Sequence, residues 1–315
     1  MPAADFSAAK LIAVDWGTSR LRAWLLDGGG RALAEADSDQ GIGAISGGHE
    51  AVLGALVAAW PKVPAICAGM VGSRQGWREV AYVSCPADIS AIAGRLARFT
   101  ASDGREIAIV PGLTVTAPGR DGDVIRGEET QIIGLIEREA RLAGTVILPG
   151  THSKWARVER GAVLDFQTYI SGELFALLAH QSFLRHSVAE GLADLSASPD
   201  FSLAVMRVVQ EGLPFAGALF SVRTRQLLAN VAKDTNLAYL SGLVIGGEIA
   251  AAQTSGLLPA GSDVAVVGSP SLTSAYARAL AIAGAKAATF DGSALVLGGL
   301  RRLARAIGWL KGNAT

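Results

Sequence analysis

Two short polar turns in this sequence have residue types that could bind phosphate. Residues 15–20 (Asp-Trp-Gly-Thr-Ser-Arg) follow the apolar run 11–14, and residues 150–154 (Gly-Thr-His-Ser-Lys) follow the apolar run 146–148. A Gly-Thr turn lets backbone N–H groups and a hydroxyl approach an anion without a side chain in the way. Two such turns on facing strands could hold a polyphosphate from both sides. The pattern therefore predicts an ATP-dependent enzyme.

The composition limits the classes of protein that could carry these turns. The chain has 315 residues, of which 50% are apolar and 18% are charged, and this suits two globular domains. The formal net charge is zero and the arginines are scattered, so we expect no nucleic-acid partner. The two cysteines form neither a disulfide framework nor a metal-ligand spacing. With no signal-peptide pattern and no apolar stretch long enough for a bilayer, we expect a cytoplasmic enzyme.

The strands and helices that position the turns are predicted in a similar succession twice along the chain. In the first part, apolar runs and turn residues predict strands and helices at 10–15, 21–27, 31–37, 49–60 (helix), 64–68, 89–99 (helix), 107–110 and 129–143 (helix). The pattern then restarts at 145–148, 155–159, 162–169, 172–180 (helix), 201–210 (helix), 215–230 (helix), 237–253 (helix), 264–267, 272–283 (helix), 287–290 and 294–309 (helix). One Gly-Thr pair alone indicates only a tight turn, and the repeated strand, turn and strand give the pair its weight. Strands followed by helices, twice over, indicate two α/β domains.

Blocks of this sequence resemble the 2-dehydro-3-deoxygalactonokinase family. They lie at 12–19 with 21–24, 68–73 with 76–77, 126–131, 148–155, 171–174 and 240–246. The blocks occur in the family's order from residue 10 to about residue 280. The resemblance therefore covers nearly the whole chain.

The resemblance implies both a fold and a reaction. The family belongs to the superfamily of actin, heat-shock chaperone ATPases and sugar kinases. It implies two ribonuclease-H-like (actin-like ATPase) α/β domains, which we place at 1–138 and 139–315, with ATP and Mg²⁺ in the cleft between them. It also implies transfer of the γ-phosphoryl group of ATP to the terminal hydroxyl of 2-dehydro-3-deoxy-D-galactonate. The product would be 2-dehydro-3-deoxy-6-phospho-D-galactonate, a step of D-galactonate catabolism.

Phosphoryl transfer requires charge neutralisation, an in-line hydroxyl and a group that takes its proton. In the first turn, Asp15 is the expected Mg²⁺ ligand, through water, because Mg²⁺ prefers carboxylates and retained waters. The alternative for Asp15 is an Asx-turn carboxylate that caps its own loop. Beside it, Gly17, Thr18 and Ser19 are expected to contact the transferring phosphate.

In the second turn, Gly150 and Thr151 are expected to hold the phosphates from the other side. Lys154 either assists at the phosphates or is a solvated hairpin residue. Superfamily members bind adenosine where a later strand meets a helix, and Gly268 and Ser269 occupy that position here. Relatives often have two or three consecutive glycines there, whereas this chain has one.

The general base is expected to be Glu128 or Glu129. Both lie between a glycine and the start of a predicted helix, where a carboxylate also suits the helix dipole, so a capping role is the alternative. Related carbohydrate kinases have Gly-Asp at the comparable point, and this chain has Glu-Glu. We favour Glu128, because it follows Gly127 as the aspartate follows its glycine in the relatives.

The substrate is an anion, so a cation should meet its carboxylate. The planar fork of arginine suits a carboxylate, and Arg126 and Arg74 both lie next to glycines in loop-like sequence. Arg126 is favoured because it is next to the expected base. Met70 and Ser73 resemble the sugar-contacting loop of related kinases. Trp77 either stacks on the carbon chain of the substrate or packs in the core.

Other functions remain open on the same fold. An ATP-switched binding or assembly protein would need extra subdomains, for which 315 residues leave little room. An ATPase or phosphatase would use water in place of the sugar acid. A kinase for another 2-keto-3-deoxy sugar acid also fits, because such substrates differ at one carbon. As partners we expect ATP and a small sugar acid, with no membrane, and a homodimer is the oligomeric state considered.

Overall fold

A computed structural model describes residues 5–117, 119–191 and 195–312 of the chain. The chain divides into two compact units. Unit 1 takes the residues up to Leu142, the segment Glu159–Asp165 and the residues from Ser293 onward, and unit 2 takes Ala143–Val158 and Phe166–Gly292. The sequence-based division between residues 138 and 139 instead assigned everything after residue 138 to the second domain.

The strands and helices are numbered in chain order. The strands are β1 (Ala9–Trp16), β2 (Leu21–Asp27), β3 (Ala32–Ser38), β4 (Ala65–Gly69), β5 (Val83–Ser84), β6 (Ala87–Asp88), β7 (Ala97–Thr100), β8 (Glu106–Ile109), β9 (Leu113–Ala117), β10 (Arg120–Ile125), β11 (Gly144–Leu148), β12 (Ser153–Glu159), β13 (Ala162–Tyr169), β14 (Asp263–Gly268) and β15 (Lys286–Asp291). The helices are α1 (His49–Leu56), α2 (Ile89–Ala93), α3 (Glu128–Arg138), α4 (Ser171–His180), α5 (Pro199–Val209), α6 (Phe215–Leu219), α7 (Ser221–Ala229), α8 (Lys233–Thr254), α9 (Pro270–Ile282) and α10 (Gly292–Ala306).

The main sheet of unit 1 has the strand order β3-β2-β1-β4-β8-β7. The first three strands form an antiparallel meander, and β1, β4 and β8 then run parallel to one another. The middle strands are almost continuously apolar and buried because both faces of the sheet are covered. This arrangement brings the carboxyl ends of β1 and β4 together, where Asp15 pairs with Ala68 across the sheet.

Unit 2 repeats this topology. Its strands follow the order β13-β12-β11-β14-β15, in which β11 pairs antiparallel with β12 and parallel with β14. The same order, β3-β2-β1-β4-β8, holds in unit 1. The restart of the pattern that the sequence predicted is therefore confirmed in the strand order of the two units.

Helices make up most of the rest of unit 2. The longest, α8, has 22 residues and is buried on nearly all sides, with α5 packed closely against it. Its Gly242 permits this contact, since a Cβ there would lie 2.3 Å from the carbonyl oxygen of Phe201 on α5. Among the described residues, no helix combines the length and the hydropathy that crossing a bilayer requires.

Several elements of the structure differ from those predicted. The helix predicted at 89–99 is wrong beyond its first turns: α2 ends at Ala93, before Gly94, and 97–100 instead form β7 against β8. The hairpin β9–β10 was not predicted at all. The helix predicted at 215–230 is two helices, α6 and α7, which meet at Phe220. In each case pairing or packing with distant residues decided the outcome over local pattern.

Helices α3 and α10 of unit 1 meet backbone to backbone. A Cβ on Gly134 would lie 2.0 Å from the carbonyl oxygen of Leu295, and one on Gly299 would lie 2.0 Å from that of Thr130. Both separations are far shorter than a nonbonded carbon and oxygen can reach. The absence of side chains at these two positions therefore fixes how closely α3 approaches α10.

We expect Gly299→Ala to destabilise the protein while Gly298→Ala does not. At residue 299 the methyl group would force the two helices apart, and overpacking of this kind lowers the free energy of unfolding by roughly 1–3 kcal/mol. The neighbouring Gly298 is a matched control, because its Cβ would meet its nearest atom at an ordinary 3.5 Å. Alanine there should be neutral or stabilising by up to about 1 kcal/mol through helix propensity. Urea unfolding of both variants measures this, and equal stability of the two would contradict the packing argument.

Candidate active site

The first Gly-Thr turn carries an ion pair that the sequence analysis did not predict. Asp15 is the penultimate residue of β1 and faces Arg22 across the β1–β2 hairpin. The Nη2 atom of Arg22 donates a hydrogen bond to Oδ2 of Asp15 at 2.6 Å, and both side chains are mostly buried. Arg22 also donates to the hydroxyl of Ser293. The register of the β1–β2 hairpin could have revealed this pair, since it places residues 15 and 22 opposite each other.

The Asp15 carboxylate retains one oxygen that can bind a cation. In the described part of the chain, neither a side chain nor a backbone N–H of its own loop donates to Oδ1, so the Asx-turn alternative does not apply. The described residues also contain no group of three or more His, Cys, Asp or Glu side chains that could enclose a metal ion. A single carboxylate oxygen fits Mg²⁺ in its usual setting, where phosphates and waters supply the other ligands.

The hydroxyls of the first turn face outward. The backbone carbonyls of Gly17 and Thr18 accept hydrogen bonds from the N–H groups of Ile42 and Gly43, at 3.0 and 2.9 Å. These bonds hold the turn from behind and leave the Thr18 and Ser19 side chains exposed. The turn is thereby fixed while its hydroxyls remain available to a ligand.

Both glutamates at the start of α3 fold back onto the backbone before it. The N–H of Arg126 donates to Oε2 of Glu128 at 3.0 Å, and that of Gly127 donates to Oε2 of Glu129 at 2.6 Å. Glu129 also accepts from the hydroxyl of Thr130 at 2.9 Å. Glu129 is completely buried, whereas Glu128 is half-buried. Glu129 is therefore enclosed by protein, whereas Glu128 is partly accessible.

Burial changes the protonation of Glu129. Desolvation, together with the neighbouring Glu128 charge, raises its pKa from 4.5 to about 7, against the opposing effect of its hydrogen bonds. A pKa of about 7 leaves Glu129 partly protonated at neutral pH.

Arg126 is half-buried beside the loop that was expected to contact the sugar. Its Nη2 atom donates to the carbonyl of Val80 at 2.8 Å, and its guanidinium stacks on the ring of Tyr82 at 4.4 Å. The side chain fits because residue 72 is glycine, whose Cβ would lie 2.8 Å from Nη1. Within the described residues, Arg126 Nε and Nη1 and the hydroxyl of Ser73 are buried with no hydrogen-bond partner. Native proteins seldom leave such donors unpaired, so they point to a ligand.

The other residues expected to contact the sugar acid are placed differently. Arg74 is 82% exposed and pairs with Glu79 at 3.6 Å. Trp77 packs edge-on against Phe99 at 5.2 Å between ring centroids and belongs to the apolar core of unit 1. Met70 is half-buried against the same core. The packing alternative therefore describes Trp77, and Arg74 is a surface residue.

The second Gly-Thr turn is held by the start of α4. The N–H of Glu173 donates to the carbonyl of Thr151 at 2.9 Å. The contact is close because a Cβ on Gly172 would lie only 2.2 Å from the carbonyl oxygen of Gly150. On its other side Gly150 is open, with nothing within 4 Å of a Cβ position. The turn is thus held by α4 on one side and is open at Gly150 on the other.

Lys154 is buried rather than solvated. Its side chain is 6% exposed, and its ammonium donates to the carbonyl of His152 at 2.7 Å, within the turn. The imidazole Nε2 of His152 lies 2.6 Å from a carboxylate oxygen of Glu173, where both side chains are half-exposed. The solvated-hairpin alternative for Lys154 therefore does not apply, and its charge lies directly behind the turn.

A cavity of about 420 Å³ in unit 2 joins the second turn to the start of α9. This volume is in the range of small-molecule sites. Ser269, just after Gly268 at the end of β14, and Gly150 of the turn both line it, so two positions predicted separately belong to one site. The remaining lining is apolar side chains with a few hydroxyls: Ser171, Gly172, Phe175, Leu195, Ser196, Ser241, Val244, Ile245, Ser271, Leu272, Ala275 and Tyr276.

A buried carboxylate lies behind this cavity. Glu248 of α8 is 3% exposed and accepts hydrogen bonds from the indole of Trp155 at 2.6 Å and the hydroxyl of Tyr276 at 2.9 Å. The hydroxyls of Ser171 and Ser153 also bond to it, and burial raises its pKa despite these donors. The sequence analysis assigned Glu248 no role. Its only signal was a charged residue within the largely apolar stretch 237–252.

The architecture and the two Gly-Thr turns define the actin-like ATPase fold that sugar kinases share. The same fold occurs in the activator of the 2-hydroxyisocaproyl-CoA dehydratase from Clostridium difficile, solved with bound ADPNP. That structure matches with a TM-score of 0.50 at 12% identity, over 97% of this chain and 99% of that chain. At this identity the likeness concerns the fold alone.

This chain belongs to the 2-keto-3-deoxy-galactonokinase family, whose model matches residues 15–303. It is 40% identical to a probable 2-dehydro-3-deoxygalactonokinase of Rhizobium meliloti (strain 1021), over 96% of this chain and 98% of the relative. It is 33% identical to the 2-dehydro-3-deoxygalactonokinase of Escherichia coli K12, over 95% and 99%. A crystal structure from Sinorhizobium meliloti assigned to the same kinase matches with a TM-score of 0.87 at 39% identity, over 96% and 99% of the two chains. The family resemblance expected from the sequence blocks is confirmed.

We expect Glu129 to make the stability of the protein depend on pH. Its pKa is higher in the folded protein, about 7, than the ordinary 4.5, so its contribution is fully present below pH 4.5 and is lost as the pH rises through 7. Between pH 5 and pH 8 this loss should be about 2 kcal/mol in the free energy of unfolding. Glu129→Gln should remove that part of the pH dependence, as urea unfolding at the two pH values would measure.

Glu139→Gln is the matched control for this experiment. It removes one carboxylate just beyond the other end of α3, where the side chain is 46% exposed. This variant should retain the pH dependence of the original protein. The same pH dependence in Glu129→Gln as in Glu139→Gln would exclude Glu129 as its source.

Proposed function

We propose that this chain transfers the γ-phosphoryl group of ATP to the terminal hydroxyl of 2-dehydro-3-deoxy-D-galactonate. The product is 2-dehydro-3-deoxy-6-phospho-D-galactonate, formed in galactonate catabolism. The observation that carries the proposal is the cavity of unit 2, which is lined by both a Gly-Thr turn and the start of α9. Family membership and the activity named for the relatives support the same reaction.

Unit 2 supplies the binding site for the nucleotide. The apolar walls and serine hydroxyls of the cavity suit an adenosine, as ligand sites combine apolar surface with a few polar groups. The phosphates then follow along the open face of Gly150 and Thr151, where backbone N–H groups can donate to them. Lys154, buried behind the turn, adds a positive charge that favours the phosphates.

Unit 1 supplies the charges that phosphoryl transfer requires. Asp15 would hold Mg²⁺, whose chemistry is to neutralise charge on the phosphates. Arg22 orients the Asp15 carboxylate through their 2.6 Å hydrogen bond. The exposed hydroxyls of Thr18 and Ser19 donate to phosphate oxygens.

Glu128 accepts the proton of the attacking hydroxyl. It is the accessible member of the glutamate pair, and its carboxylate is already oriented by the N–H of Arg126. Glu129, enclosed at the start of α3, holds the backbone of Gly127 in place. Glu129 is therefore a supporting residue, and Glu128 is the base.

Arg126 binds the carboxylate of the sugar acid. Two donors of its guanidinium, Nε and Nη1, have no partner in the described residues and can donate to an anionic ligand. The ring of Tyr82 covers this guanidinium, and since Tyr82 is 41% exposed its side chain can move without disturbing the core. The hydroxyl of Ser73 is a further unpaired group for the same ligand.

The reaction is tested by a coupled assay of ADP release with Mg-ATP. ADP should form only when 2-dehydro-3-deoxy-D-galactonate is added. ADP release that does not depend on the sugar acid would indicate an ATPase or phosphatase instead. Equal or faster turnover with another 2-keto-3-deoxy sugar acid would reassign the substrate within the same class.

We expect Glu128→Gln to lower kcat by about 10²-fold or more, the scale of general-base catalysis. Glutamine keeps the size of the side chain but cannot take the proton. ATP binding should be unchanged, as isothermal titration calorimetry would show. Glu129→Gln is the matched comparison and should retain more of the activity. Turnover near that of the original protein in Glu128→Gln, with Glu129→Gln inactive, would transfer the role of base to Glu129.

We expect Arg126→Ala to raise the KM for the sugar acid roughly 10-fold to 100-fold, the loss of a hydrogen-bonded charge pair. The KM for ATP should change little, because the proposed nucleotide site is in unit 2. Arg74→Ala is the control, since that arginine is an exposed surface residue, and its KM values should match those of the original protein. A raised KM for the sugar acid in Arg74→Ala but not in Arg126→Ala would reverse the assignment.

A further inference from the structure

Glu248 is a buried carboxylate that the proposed reaction does not use. It lies on α8 between apolar neighbours, with Oε1 bonded to the indole of Trp155 and Oε2 to the hydroxyl of Tyr276. A buried carboxylate is unfavourable unless donors satisfy it, and replacing it with an apolar residue of similar size often stabilises a protein. Stability alone therefore does not explain a glutamate at this position.

The partners of Glu248 come from the elements that form the proposed nucleotide site. Ser153 and Trp155 are on β12, which leaves the Gly-Thr turn at residues 150–151. Ser171 is the first residue of α4, the helix that supports the back of that turn. Tyr276 is on α9, which begins just after Gly268 and Ser269. One carboxylate thus joins all three elements.

Two of these partners also line the cavity. Tyr276 and Ser171 are part of its wall, and their hydroxyls are directed to Glu248 behind it. The Ser153 hydroxyl lies 3.0 Å from that of Tyr276 and extends the network to β12. Only an acceptor with several lone pairs can satisfy donors from so many directions, and a carboxylate has two such oxygens.

We propose that Glu248 is a positioning residue for nucleotide binding. It fixes α4 and α9 against β12, so that the wall of the cavity and the Gly-Thr turn keep the spacing that a nucleoside and its phosphates require. Glu248 itself does not touch the nucleotide. This inference rests on the proposed binding of ATP by unit 2.

The test is to measure ADP binding by calorimetry, and both KM values, for Glu248→Gln. Glutamine has the same shape, but its amide nitrogen cannot accept, so the network of hydroxyls and the indole loses one of its two acceptor atoms. We expect ADP to bind at least about fivefold more weakly, the effect of one lost hydrogen bond. The KM for ATP should rise by a similar factor, and the KM for the sugar acid should stay within about twofold. Unchanged ADP affinity in the folded variant would overturn the inference.

Tyrosine variants provide a matched pair that does not depend on Glu248→Gln being folded. Tyr276→Phe removes a hydroxyl from the network, whereas Tyr239→Phe removes a buried hydroxyl on the same helix as Glu248 that bonds to Arg207 and Ser221 instead. Only Tyr276→Phe should weaken ADP binding, by about threefold or more. Equal ADP affinity in the two variants would show a structural role alone and overturn the inference.

The same measurements separate this inference from the proposed function. If the original protein binds ADP but does not phosphorylate the sugar acid, the proposed reaction fails, and the calorimetry still decides the role of Glu248. If the original protein does not bind ADP, both proposals fall together.

Discussion

The direct backbone contact between α3 and α10 is the constraint that positions the proposed catalytic residues of unit 1. Because Gly134 and Gly299 have no side chains, each helix lies against the peptide groups of the other. Helix α3 begins at Glu128, so the contact also fixes the positions of Glu128 and Glu129. The same α10 segment brings Ser293 to Arg22, the partner of Asp15. One contact between helices therefore aligns the expected base and the expected metal ligand.

Two buried carboxylates illustrate how one side-chain type takes different tasks. Glu129 has few donors and a charged neighbour, so its proton is held near neutral pH. Glu248 is surrounded by hydroxyls and an indole from separate elements, so it acts as a common acceptor. Burial raises the pKa of both carboxylates, but only Glu248 joins side chains from three other elements. Burial alone would not have distinguished them.

The sequence predicted those parts of the structure that local pattern decides. Apolar runs ending at Gly-Thr turns were correct in both units, because a strand buried on both faces must be apolar. The pair formed by Arg22 and Asp15 was missed because it depends on strand register. Glu248 was missed because its partners are distant in sequence, the nearest being 28 residues away. The proposed roles of Arg126 and Glu128 remain predictions until their variants are measured.

Chain order has a consequence for how the protein is made. Helix α10 completes unit 1, yet it follows the whole of unit 2 in the sequence. During translation, strands β1 to β10 and helix α3 leave the ribosome long before the helix that covers them. Unit 2 can therefore fold before unit 1 is complete, while the glycine face of α3 stays uncovered until α10 has been made. The early intermediate is the species in which chaperones would find exposed apolar surface.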